Sequence, residues 1–159
     1  MAKNHALLLG KLVGNLQSLE ALLRVFLVKR GSKRRGVALP HPSFGKLAVG
    51  DYVPEDEFTN FDSLGDLIKK YNADVSSLDP SLQVDASVVP LRDLLAHGRI
   101  GADVPDEARL TIIKFDKPVG GKVRVMAAAL MDDAWFEANT ALVRDQLLTV
   151  HRALESHAA

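Results

Sequence analysis

The chain contains no cysteine. Disulfides and thiolate metal sites are therefore excluded, and the composition suits a reducing compartment. Neither charge is in excess, because 20 Lys and Arg balance 20 Asp and Glu. Overall charge thus gives no reason to expect nucleic-acid or membrane binding, and any such argument must rest on local patches. No stretch reaches the roughly 18 uninterrupted apolar residues of a transmembrane helix. The opening MAKNHALLLGKLVGNLQ superficially resembles a signal peptide, with Lys3 before an apolar run. Lys11, Asn15 and Gln17 break that run early, and no small-residue cleavage site follows. A phosphate-cradling glycine loop is also missing, since GKLVG follows no strand and lacks the P-loop spacing. The 5 histidines are far apart and none pairs at i,i+4, so neither a metal nor another cofactor is expected. These absences lead to the expectation of a cytoplasmic protein with no membrane partner.

What is present is ordinary globular material, 47% hydrophobic and 25% charged over 159 residues. That is enough chain for one sizeable core, so residues 1–159 are expected to form a single domain. Leu8, Leu12, Leu16, Leu19, Leu23 and Phe26 recur at spacings of three and four and predict a helix over 4–29. Leu9, Val13, Leu22 and Leu27 widen its apolar stripe, which suits the spine of a bundle or a dimer interface. The run KRGSKRRG follows, and Gly31 and Gly36 are read as breakers that leave Lys33, Arg34 and Arg35 in a basic loop. Residues 37–60 hold prolines and glycines without a sustained period and read as one long connection.

FDSLGDLIKKYN predicts a short helix capped by Asp62 or Ser63, burying Leu64, Leu67, Ile68 and Tyr71. A third helix over 88–97 would begin at Ser87, tolerate Pro90 in its first turn and stop at Gly98 as a C-terminal cap. Residues 110–115 and 122–130 are rich in β-branched residues and read as a hairpin. Asp132 or Asp133 would cap a long last helix with Phe136, Thr140, Val143, Leu147, Val150 and Leu154 on one face.

The chemistry concentrates in VVPLRDLLAHGRIG. Arg92 and His97 are five apart, about 140° around a regular helix, and within one such helix are poorly placed to grip one small group together. Asp93 and His97 are four apart and share a face, so the carboxylate could orient the imidazole and favour its protonated form, as the helix C-terminus would. A histidine that moves protons beside a fixed guanidinium is what phosphodiester cleavage needs.

LRDLLAHGR, with Arg92, Asp93, Ala96, His97 and Gly98, resembles the R-x(4–6)-H motif of HEPN domains. The resemblance implies a mainly α fold, a four-helix up-and-down bundle, here with a β-hairpin inserted before the last helix. It further implies a homodimer in which Arg92 of one chain works beside His97 of the other. The family's activity would make the protein a metal-independent endoribonuclease of toxin or defence type, with Asp93 assisting and an antitoxin or other protein as partner. Arg34 and Arg35 with His41, Arg144 with His151, and Arg152 with His157 also match the spacing. Arg92 and His97 are distinguished by the apolar helix, Asp93 and the Ala-His-Gly ending. The sequence departs from the family in Asp93, where asparagine is common, and in the added hairpin.

Other readings stand beside these. Lys33, Arg34 and Arg35 could hold an RNA backbone or be solvated charge. Arg92 could pair with Glu20. Tyr71 could line a cleft or belong to the core, and Asn72 could end its helix. Trp135 could stack a base or pack. The alternative to an enzyme is a non-catalytic dimeric module binding RNA, a nucleotide or a partner protein.

Overall fold

A computed structural model describes residues 2–35, 46–103 and 106–157, with side chains described over 4–33, 46–102 and 109–157. The chain is mainly helical. In order come α1 (Ala2–Arg35), α2 (Leu64–Ser76), a single 3-10 turn (Pro80–Leu82), α3 (Val88–His97), β1 (Arg99–Asp103), β2 (Asp106–Phe115), β3 (Val125–Leu130) and α4 (Asp133–His157). The chain falls into two compact units, Met1–Gln17 with Ser87–Asp145, and Ser18–Ala86 with Gln146–Ala159. The first holds the sheet and α3; the second holds α2.

The stripe on α1 is buried where its period runs regularly, at Leu12, Leu16, Leu19, Leu23 and Phe26. The helix does not stop at Gly31 but continues to Arg35. A glycine inside a helix costs only about 1 kcal/mol, and the buried Leu27, Val28 and Ser32 around it keep the turn packed. The cationic run favours the extension, because positive side chains complement the partial negative charge at a helix C-terminus. Lys33 therefore lies on a helix, not in a loop, and so does the backbone of Arg34 and Arg35, whose side chains lie outside the described residues. Of the long connection, 37–45 also lie outside them, His41 included, and much of 46–60 is irregular. By length and composition alone, Asn4–Lys33 could cross a membrane, an 18-residue window within it having a mean hydropathy of 1.2.

In the second unit α2 forms where its spacing placed it. Ser63 caps it by accepting from the Asp66 N–H, and Leu64, Leu67, Ile68, Tyr71 and Val75 are buried. Asn72 does not end the helix. Its side chain donates to Val84 O and accepts from Val84 N–H, both at 2.8 Å, pinning the chain beyond the 3-10 turn to α2.

In the first unit the sequence-based hairpin is one strand short. β1, β2 and β3 form an antiparallel sheet in that order. Gly120 and Gly121, both at positive φ (58° and 74°), make the tight β2–β3 turn that only such residues adopt without strain. Arg99–Asp103 had no strand signature, because its short stretch holds one large apolar residue, Ile100, beside a glycine and two charges. α3 spans Val88–His97 as expected, but Ser87 makes no side-chain cap bond; its own backbone is already helical, at φ −60° and ψ −18°. Asp132 takes the capping role at α4, its Oδ1 accepting from the Trp135 N–H at 2.8 Å. Phe136 is buried and meets the edges of His5 and Trp135 at 6.0 and 5.1 Å.

Candidate functional site

Gly98 sets the corner on which His97 stands. Its backbone is extended, φ −72° and ψ 156°, so glycine is not needed for a left-handed turn. It is needed for space: a Cβ there would sit 2.4 Å from Leu94 O and 2.7 Å from the Ile112 side chain. Gly98 donates to Leu94 O at 2.7 Å, and the chain then turns directly into β1. His97 is consequently exposed at the joint between α3 and an edge strand.

Leu91 and Leu94 turn inward from α3, while Arg92 and Asp93 stay about 40% exposed and form a loose 3.5 Å pair. Lys114 on β2 approaches Asp93 at 3.5 Å from the other side. Asp93 is thus occupied by two cations, and among the described residues no hydrogen bond or ion pair joins it to His97. Surface pairs of this length contribute well under 1 kcal/mol, so they leave Arg92 and Lys114 available to an incoming anion. Arg99, the first residue of β1, lies over the Phe115 ring at 5.4 Å from its centroid. The joint is therefore cationic, with an exposed imidazole at its corner.

Two expected partnerships form differently. Glu20 bonds to Arg24, at 3.1 Å from Nη2. Tyr71 is fully buried, donates to Leu82 O at 2.9 Å and meets Phe26 edge-on at 4.8 Å. Burial pushes its phenol pKa well up. Tyr71 is a core residue. Trp135 is half-buried at the start of α4.

The sequence reading missed Arg24, whose side chain is only 11% exposed. Its guanidinium donates to Glu57 O at 3.2 Å, Asn60 O at 3.0 Å and Asn60 Oδ1 at 2.9 Å. It also donates to Asp62 O at 2.8 Å. Beside it, Lys70 bridges Glu57 at 3.0 Å and Asp62 at 2.6 Å. The Lys70 ammonium holds the Asp62 carboxyl below its usual pKa, and the two carboxylates raise that of Lys70. This network straps 57–62 onto α1 and α2. It borders a cavity of about 610 Å³ with Leu27, Val28 and Gly31 on one side and acidic residues such as Glu55 and Asp74 on another. Nothing in the sequence marks Arg24 off from other helical arginines, since its partners are mostly backbone oxygens of an irregular segment.

Among the described residues no group of three histidines or carboxylates is arranged to hold a metal ion. No family model, curated protein or solved structure matches the chain.

Proposed function

We propose that the chain is a HEPN-like, RNA-directed protein acting as a homodimer, with Arg92 and His97 supplied to one cleft by different protomers. The four helices would then be the members of an up-and-down bundle that carries the sheet as an insertion. The observation that carries this reading is the placement of His97. It stands exposed where α3 ends, on the helix whose Arg92 and Asp93 pair and whose Asp93 is approached by Lys114. Such a corner attracts a phosphodiester, and the separation of Arg92 from His97 around α3 calls for a second chain.

In the catalytic form of the reading, the RNA 2′-hydroxyl attacks the adjacent phosphorus while His97 acts in proton transfer. Arg92 stabilises charge on the non-bridging oxygens, and the 5′-oxygen leaves, giving a 2′,3′-cyclic phosphate and a 5′-hydroxyl. Lys33, Arg34 and Arg35 would hold an RNA backbone. The protein would act in the cytoplasm, without a metal, as a toxin or defence factor restrained by an antitoxin or another protein.

A second reading has a specific observation in its favour. Asp93 is paired with Arg92 and Lys114, so the carboxylate expected to steady His97 is engaged elsewhere. That arrangement suits a non-catalytic module binding RNA, a nucleotide or a protein. Single-stranded RNA incubated with pure protein and EDTA separates the two. The enzyme reading expects cleavage by wild type and its loss in His97→Ala. Equal survival of the RNA with both proteins leaves the binding module, which should lose affinity when Lys33, Arg34 and Arg35 are neutralised.

A further inference from the structure

The sheet has two faces, and one of them packs against α3. Ile112 is buried and Lys114 reaches Asp93 of α3, so by alternation along β2 the side chains of Thr111, Ile113 and Phe115 turn the other way. Residues paired across the ladder share a face. Thr111 pairs with Gly101 and Leu130, Ile113 with Arg99 and Ala128, and Phe115 with Val125. Met126, the extra residue of β3, falls between these rows. Arg109, two residues before Thr111, joins the same face, and with Thr111, Ala128, Ala129 and Leu130 it lines an open hollow of about 370 Å³.

This outer face carries charge of one sign. Arg99 and Arg109 are both exposed, and no carboxylate stands in these rows. Among the described residues neither guanidinium makes a hydrogen bond or an ion pair. A paired cation such as Lys70 must give up its carboxylates to take an outside anion; these two have none to give up. Arg109 stands four residues before the row of Arg99, about 13 Å along β2, which suits a chain of repeated charges better than one small anion. Between them Thr111 and Ile113 present a hydroxyl and apolar surface, and the small Gly101 and Ala128 beside them keep the strip low enough for a flat group to lie on it. At one end Arg99 sits over the Phe115 ring, 5.4 Å from its centroid. A planar cation backed by an aromatic ring is a platform on which a nucleobase stacks.

We infer that the outer face of the sheet binds single-stranded RNA, its phosphates drawn by Arg99 and Arg109 and an unstacked base laid over the Arg99–Phe115 pair. The guanidinium of Arg99 serves both ends of this contact, because its edge donates hydrogen bonds while its plane stacks. Single strands are selected over a duplex because a duplex keeps its base faces stacked inside, where an open sheet has nothing that reaches them. An acidic peptide would satisfy the two arginines but brings no flat group for the ring pair. The inference rests on the reading that the chain is RNA-directed, and it does not need His97 to cut.

The test is fluorescence anisotropy with a labelled oligouridine whose 2′-hydroxyls are methylated, so that binding is read apart from cleavage. Wild type should bind, with an affinity that falls as salt rises. Arg99→Ala combined with Arg109→Ala should lower the slope of log affinity against log salt by about 1.4, at about 0.7 for each phosphate contact on a single strand. Arg99→Lys keeps the charge and loses the plane, so it should keep the slope and bind at least about fivefold more weakly, the least expected for one stacked base. Lys11→Ala combined with Lys69→Ala removes two exposed cations elsewhere and should leave the slope as it is, with circular dichroism unchanged in every variant. Absence of binding by wild type at low salt overturns the inference together with the reading beneath it. Binding that keeps its full slope without Arg99 and Arg109, and loses it when Lys33, Arg34 and Arg35 are neutralised, overturns the inference alone. So does displacement of the labelled strand by polyglutamate as readily as by unlabelled oligouridine, which would mark the face as a surface for acidic peptides.

Discussion

The two units handle their polar and apolar groups in opposite ways. In Ser18–Ala86 with Gln146–Ala159, polar side chains are turned inward and consumed: Arg24 on loop carbonyls, Asn72 on Val84, Tyr71 on Leu82. In the described part of Met1–Gln17 with Ser87–Asp145, the notable groups face out: His97, Arg92, and the apolar edge of β3. A group whose hydrogen bonds are all made within the chain has little left to offer a ligand. The contrast therefore puts the interlocked hydrogen bonds in the unit that holds α2 and the groups open to a ligand in the unit that holds the sheet, and it can be broken from either side.

The largest effect belongs to Tyr71. Tyr71→Ala removes a fully buried aromatic and should cost roughly 3–5 kcal/mol of unfolding free energy. Tyr71→Phe, which leaves Leu82 O without its donor, should cost about 1–2 kcal/mol. Urea titration reads both, and a Tyr71→Phe cost as large as that of the alanine would show that packing is not the main term. Next comes Arg24→Ala, expected to lose about 2–3 kcal/mol because it strands several carbonyls at once. Were that unit held by its apolar core alone, this substitution would leave the urea midpoint in place. In the unit that holds the sheet, Gly98→Ala must move Leu94 O or Ile112 and should cost about 1–3 kcal/mol. A small or absent loss would mean that the corner under His97 is pliable.

The smallest effect is a pH dependence. The folded Asp62 carboxyl titrates below its ordinary 3.8, so its contribution is present above about that pH and fades as acid protonates it through the lowered value. Lys70 titrates above its ordinary 10.5, so its contribution is present below that pH and is lost as alkali passes the raised value. The stability difference between wild type and Lys70→Met should accordingly be widest at intermediate pH and narrow at both extremes. A difference constant from acid to alkali would remove this pair from the account.

Much of the helical framework was legible because period is a local property. The stripe from Leu12 to Phe26, the α2 face and the limits of α3 follow from spacing within a few turns. What escaped depends on partners distant in sequence. β1 is a strand because β2 lies beside it, and Ile100 alone could not announce that. α1 passes Gly31 because Leu27, Val28 and Ser32 are buried around it. Gly98 was placed correctly as the end of α3, but the cause lies at Ile112, fourteen positions away in the sequence, and not in a left-handed backbone. At the candidate site, Arg92, Asp93 and His97 were picked out from their spacing, whereas Lys114 was invisible until the sheet brought it to Asp93.

The proposal that Arg92 and His97 belong to one site built from two chains is tested most directly by mixing two inactive variants. Arg92→Ala and His97→Ala should each fail to cleave RNA in EDTA. After subunit exchange, each heterodimer regains one site with both side chains. Random pairing in a two-fold dimer then predicts about a quarter of wild-type activity. A mixture no more active than either variant alone would contradict the composite site.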